Sequence, residues 1–402
     1  MLKQPNPKER LAMPWIKNTG CKYHTQDTSY YCGAACAMMV LAEIGVSHTS
    51  LDQDDLYDSN HNHNARSGWY SDPEGVKYTM VNRKPASFAN TFVVYRSPSE
   101  AEGSQKLVHT LKTYGVSPIV LVYGCAHWIV VCGVQTDVNP ATGAYTIEGF
   151  WVNNPVFENN EPHSAGDVCG SGGSHGVENQ WVSYASWQST YFTGCNYDSS
   201  DGSLQYLSVC DPEVPKIKAP RQVEPVRYFD GRQLADPRRI IDVVGKELER
   251  LSLAQNKLTR RVARGKFESP FLVQRLDAEG SFYYLMPSMA NSRVLGYVQM
   301  DARFGSLEGL FSLKRAAKPF ETDLKKIELQ LVGRKVDLPR EQGRILLRRG
   351  EFRVEKHLVW RPCRQSFSPH LPFWRISSGP FTLYQRIDGP LFAELTLDGR
   401  GI

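Results

Sequence analysis

Along residues 32–45 the apolar positions run almost without a break, CGAACAMMVLAEIG, which predicts a helix with a buried, small-residue opening. Further helices are expected at 74–82 and 101–114. Strands are expected at 117–123, 127–135, 144–152 and 204–210. Helices first and paired strands later make this half α+β rather than an alternating βαβ chain. After residue 210 the periodicity stops: DPEVPKIKAPRQVEP holds four prolines in fifteen residues, the mark of a linker or an extended wrap. Ile241, Val244, Leu248, Leu251, Leu258 and Val262 then recur three, four or seven apart, predicting one long helix over 235–265. Asp236 is its expected N-cap, Pro237 its first helical residue and Gly265 its stop. From Phe267 onward short alternating runs predict a mainly antiparallel sheet: FLVQRL, SFYYLMP, VLGYVQMD, KIELQLVG, RILLRRG, FRVEKHLVW, FTLYQRI and LFAELTLDG. Stretches opening PFLVQRL and PFWRISS share an aromatic-rich strand and a closing apolar strand, the outline of a duplicated β-rich module.

Composition sharpens that division. A chain of 402 residues is too long for one ordinary domain. The expected organisation is a first domain over 13–212, a proline-rich linker over 213–233, and a helix plus β-rich accessory domain over 234–402. Residues 1–210 carry 12 Lys and Arg against 19 Asp and Glu, a balance of −7, and residues 211–402 carry 35 against 23, a balance of +12. The basic half is suited to an anionic partner, to its acidic neighbour, or simply to solvent. At 41% hydrophobic and 22% charged the composition is globular, and no stretch reaches the ~20 apolar residues that cross a bilayer. The N-terminal segment lacks an export leader, so the cytoplasm is the default compartment, with export by a leaderless route as the other option. Nine cysteines without a repeating spacing read mostly as buried free thiols, Cys125 and Cys132 among them as core residues.

Cys32 is the exception that needs explaining. It stands where the loop-like Tyr30 and Tyr31 give way to the helix, and unpaired N–H groups there favour a thiolate. Most lone cysteines are structural, and Cys36, one turn on, fits that description. A nucleophile needs an oriented base. His127 opens the strand WIVVCGV after a glycine break, fixed in direction yet reachable. The strand YTIEGFWVNNPV ends in Asn153 and Asn154, and an asparagine carbonyl beside His127 would hold its tautomer. Gln26, six residues before Cys32, is suited to share an oxyanion hole with the Cys32 N–H. Each residue alone is weak evidence, and the ordered quartet is specific.

QDTSYYCGAACAMMVLAEIG resembles the Gln-x5-Cys-Gly box of papain-like cysteine peptidases, closest to the bacterial group related to double-glycine leader peptidases. HWIVVCGV and VNNPV resemble that group's histidine strand and its third box, where Asp or Asn precedes Pro. GWYSDPEGVKYTMVN resembles the segment that lines the substrate cleft. The resemblance covers about 13–212 and implies a papain-like α+β domain with Cys32 as nucleophile, His127 as base, Asn154 as orienting residue and Gln26 as oxyanion donor. Asn153 is the other choice for the third position. Leader peptidases typically have Asp there and are commonly fused to a membrane transporter, and this chain has Asn and no apolar span.

The expected activity is therefore hydrolysis of a peptide or amide bond through a cysteine thioester, with no metal or organic cofactor. The basic β-rich half would bind the peptide or protein substrate, make protein contacts, or gate the cleft as an autoinhibitory module. No nucleic-acid partner is expected, because the aromatic and basic mixture in 340–386 contains no single-strand-binding motif. A deamidase or acyl-transferring enzyme would use the same triad, and a non-catalytic binding protein would keep only the fold. His61 and His63 stand two apart in a polar run without a completing ligand, and GDVCGSGGSHG lacks the Lys-Ser/Thr of a phosphate cradle.

Overall fold

The structure, a computed structural model, describes residues 13–156, 177–211, 219–222, 224–339, 343–396 and 400–401. It is a mixed α+β molecule with a large, mostly antiparallel sheet. In the first half the expected helices form at Cys32–Glu43, Pro73–Arg83 and Glu100–Thr113. Asp72 caps the second through the Gly75 N–H and Ser99 caps the third through the Glu102 N–H, which anchors their entry points. A further helix, Gln53–Asn62, was not expected, because its sequence QDDLYDSNHN is too polar to show an apolar stripe. Asp52 starts it by accepting from the Asp54 and Asp55 N–H groups.

The expected strands form at Ile119–Val122, His127–Thr136, Ile147–Asn154 and Tyr206–Cys210. They lie in one sheet, in the order Val177–Ser183, Ile147–Asn154, His127–Thr136, Ile119–Val122, Tyr206–Cys210 and Val93–Ser97. All ten residues of His127–Thr136 are buried, because the cysteine helix, Trp15–Asn18 and two sheet neighbours enclose it.

The sheet does not stop at the expected boundary. Leu307–Ala317 pairs with Val177–Ser183 through Gly309 opposite Val182 and Leu310 opposite Trp181, carrying the sheet into the second half. There it continues through Arg293–Asp301, Phe282–Ala290 and Phe271–Arg275, then by one parallel pairing to Arg353–Trp360, Phe373–Ser378, Phe381–Arg386 and Leu391–Phe392. The described part of 213–233 is pinned to both halves: the Arg221 N–H donates to Tyr145 O at 2.7 Å, and the Tyr228 N–H to Phe304 O at 2.8 Å.

Two expectations for the second half are corrected. The long helix ends at Arg250 rather than running to Gly265, and a short helix, Arg260–Ala263, follows a run of turns. Ser252 takes φ +53, its N–H bonds to Glu249 O at 2.9 Å, and the Leu253 N–H reaches Leu248 O at 2.8 Å. This double bond pattern closes a helix as a left-handed cap, here on a serine instead of the usual glycine, and Leu248 and Leu253 bury together across it. KIELQLVG is helical over Leu324–Leu331, with Asp323 capping, because burial of Ile327 and Leu331 four apart satisfies a helix as well as alternation satisfies a strand.

The seam between halves carries a buried polar group. Gln180 donates through Nε2 to His370 Nε2 at 3.0 Å, and His370 packs on Phe311 at 4.2 Å between ring centroids. An amide N–H must donate, so the accepting imidazole nitrogen is bare and the ring neutral. Burial holds His370 down to about 3. In the unfolded chain a histidine takes its proton near ~6.5. The unfolded state therefore binds more protons below that value, and stability falls as pH drops from there toward 3, at about 1.4 kcal/mol per pH unit. Between pH 7 and pH 5 the protein should lose about 2 kcal/mol that a His370→Gln variant does not lose. Urea midpoints of both proteins at the two pH values check this, and equal losses would refute it.

Candidate active site

Three element ends converge. Cys32 is the first residue of its helix, and the N-cap Tyr31 makes no side-chain capping bond. Gly33 is tightly enclosed: a Cβ there would lie 2.7 Å from Ser71 Cβ and 3.3 Å from Trp128 Cδ1. His127 is the first residue of its strand. It is delivered by a turn in which Tyr123, Gly124 and Cys125 all have positive φ, at 56°, 65° and 69°. Asn154 is the last residue of the neighbouring strand.

The polar contacts fix the roles of the atoms. His127 Nε2 lies 2.8 Å from Asn154 Oδ1, and Asn154 Nδ2 donates to the Phe367 carbonyl at 2.8 Å. Because Nδ2 must face a carbonyl, Oδ1 must face the ring, and Nε2 must carry the proton. Nδ1 is then the basic nitrogen. Asn153 points elsewhere, its Nδ2 donating to Cys21 O at 3.0 Å and its Oδ1 accepting from the Asn179 N–H at 2.8 Å. Of the two asparagines, Asn154 is the one that meets the imidazole.

The thiol meets the residue that follows His127. Cys32 Sγ accepts the Trp128 N–H at 3.3 Å, and Trp128 directly follows His127. Cys32 is wholly buried, and burial pushes its thiol well above the ordinary range. The N–H groups of Trp128, Gly33 and Cys32 itself oppose that shift without cancelling it. The lowering expected from the helix end is thus outweighed by desolvation in this closed arrangement. Gln26 is also buried, and its N–H donates to Pro155 O at 3.3 Å, tying the glutamine loop to the residue after Asn154. Its side-chain Nε2 donates to Thr28 O at 2.7 Å, and Oε1 has no partner among the described residues.

No motif in the sequence points to Phe367. Its ring stacks on His127 at 4.5 Å and 7° while its carbonyl holds Asn154, so the second half supplies both a face and an anchor to the histidine. The contact joins residues far apart in the chain, and no local pattern encodes it. Cys125 corrects the reading of that residue as a free core thiol: it forms a disulfide with Cys195. Cys132 is buried without a disulfide. His61 and His63 sit at the end of the Gln53–Asn62 helix, with Nδ1 atoms 3.0 Å from Tyr70 O and 2.9 Å from Ser59 O. Among the described residues no cluster is suited to a metal. The glycine-rich GDVCGSGGSHG lies outside the described residues, and among those described no helix is long and apolar enough to cross a membrane.

The Cys125–Cys195 bridge closes 70 residues of chain and pins the turn that delivers His127. Loop-closure entropy for that length stabilises the fold by about 4 kcal/mol. A Cys195→Ser variant should therefore melt several degrees below the parent in calorimetry without reductant, and dithiothreitol should bring the parent to the variant's value.

No protein-family model, no curated protein and no solved structure matches this chain, so its function has to be argued from the site's own geometry.

Proposed function

We propose that the chain is a papain-like cysteine hydrolase that cleaves a peptide or amide bond through a Cys32 thioester. The observation that carries this reading is the polarity of the His127 contacts, in which Asn154 Oδ1 accepts a hydrogen bond from Nε2–H and leaves Nδ1 as the base. In the reaction Nδ1 takes the thiol proton as Sγ attacks the carbonyl carbon. The imidazolium then returns that proton to the departing amine. Water, activated by the same nitrogen, hydrolyses the thioester and regenerates the thiol. The Cys32 N–H and the second amide hydrogen of Gln26, whose first is used by Thr28, would hold the oxyanion. Asn154 is neutral, so it orients the ring without adding anionic stabilisation to the imidazolium.

The second half has a defined part in this reading, since the Phe367 carbonyl orients Asn154 and its ring covers His127. Full burial of Cys32 favours a competing role as a non-catalytic binding protein on the same architecture. Deamidation and acyl transfer would use the same thioester with a different substrate or acceptor.

Incubation with a mixed peptide library and mass-spectrometric readout should give cleavage products that vanish in Cys32→Ala. Asn154→Ala should lower kcat by about tenfold or more through loss of the ring's orientation, whereas Asn153→Ala should act chiefly on thermal stability. An Asn153 variant that loses kcat while Asn154→Ala keeps it would reverse the assignment. Cleavage that persists in Cys32→Ala would remove the nucleophile.

A further inference from the structure

Gly401 is seated against Trp128, whose N–H meets Cys32 Sγ. The Gly401 N–H donates to Cys125 O at 2.9 Å, the Ser71 N–H donates to Gly401 O at 3.3 Å, and the Tyr70 N–H donates to Arg400 O at 3.3 Å. These are main-chain bonds to Arg400 and Gly401 from both sides, the way a groove recognises backbone rather than side chains. One wall is Tyr70 and Ser71, in the segment after the Gln53–Asn62 helix. The other is the disulfide-bonded Cys125, two residues before His127.

The fit is tight at one position. A Cβ on Gly401 would lie 2.2 Å from Ser71 O, 3.1 Å from Trp128 Nε1 and 3.2 Å from Trp69 Cε3, and its φ of +66° already disfavours a side chain. The walls are themselves held: Trp128 Nε1 donates to Ser71 O at 2.9 Å, and the Trp128 N–H donates to Cys32 Sγ. Gly401 is therefore separated from the thiol by one shared tryptophan. The segment that precedes it is fastened as well. Gln365 accepts the Thr396 N–H at 2.9 Å through Oε1 and donates to Thr396 Oγ1 at 2.7 Å. Residue 365 lies two before the Phe367 that covers His127. Arg364 adds a bond from Nη2 to Tyr70 Oη at 3.0 Å.

We propose that the groove formed by Tyr70, Ser71, Cys125 and Trp128 is a peptide-backbone site, and that Arg400 and Gly401 are its resident ligand, supplied in cis, which an incoming peptide must displace to reach Cys32. The consequence for catalysis rests on the hydrolase reading, and the occupancy itself does not. At the position of Gly401 the groove takes a residue without a side chain. The burial of Cys32 is then a property of the occupied state, and the basic half acts on the acidic half by filling its cleft.

The test uses the full chain with Gly401→Trp and the milder Gly401→Ala, neither of which leaves room for the native seating. Hydrogen exchange at the Tyr70 and Ser71 amides, and the rate of Cys32 alkylation by iodoacetamide, are compared with the parent. Near-ultraviolet circular dichroism checks that both variants keep the native packing. Each backbone bond contributes a few-fold, so exchange at both amides and alkylation should rise by about tenfold or more in Gly401→Trp, with Gly401→Ala between it and the parent. A fluorescein-labelled peptide with the sequence of residues 395–401 should bind Cys32→Ala/Gly401→Trp and restore protection at 70 and 71, and should bind Cys32→Ala with the native glycine at least tenfold more weakly. Unchanged exchange in both variants, or peptide binding no different between the two backgrounds, would overturn the proposal. Peptide binding and restored protection without any library cleavage would sustain the groove while removing the hydrolase reading, so the two fail separately.

Discussion

The site depends on one contact between distant parts of the chain, the Asn154 Nδ2 bond to the Phe367 carbonyl. An asparagine amide is almost symmetric in shape, and only its partners decide which end faces a histidine. A carbonyl on one side forces the N–H₂ toward it and turns the oxygen to His127. That orientation places the proton on Nε2 and the lone pair on Nδ1. Without an acceptor at Phe367 O, nothing in the asparagine strand itself would select between the two settings. The second half is thus tied to the chemistry of the first by the same residue whose ring stacks on the imidazole. The pairing of Leu307–Ala317 with Val177–Ser183 at Gly309–Val182 and Leu310–Trp181 joins the two halves in one sheet.

How far the sequence disclosed this follows from how local each signal is. Cys32, His127 and Asn154 stand at the ends of a helix and two strands, and those ends are marked by nearby residues, so the elements and their order were legible. The long helix was misread because Leu251, Leu258 and Val262 keep helical spacing across a break that Ser252 makes without glycine or proline. The strand expected at KIELQLVG failed for a related reason, since a short apolar run obeys both periods and its packing against Arg353–Trp360 decides. Phe367, the Cys125–Cys195 bridge and the seating of Gly401 were not legible at all. Each joins residues 70 or more positions apart, and no spacing rule reaches that far.

A buried thiol and an oriented imidazole answer different physical demands. Orientation wants a dry, fully bonded surround, because each unsatisfied polar atom in it is costly and each satisfied one fixes a neighbour. Reactivity wants a thiolate, and a thiolate loses most when water is removed. Three N–H groups at Cys32 offset part of that loss and burial still prevails, so the arrangement seen keeps the proton on Sγ. The charge-separated pair would be favoured only when solvent or a polar substrate group reaches the sulfur. In the proposed hydrolase, opening the site would therefore change the chemistry as well as access: it would remove the desolvation that holds the proton on sulfur, while the Asn154 contact would keep the proposed base in line. In such a design the orienting bonds belong in the permanent core, on Phe367 and the shared sheet. A displaceable cover, as proposed for residues 400 and 401, belongs on a segment held by a few main-chain bonds, which is how those residues are attached.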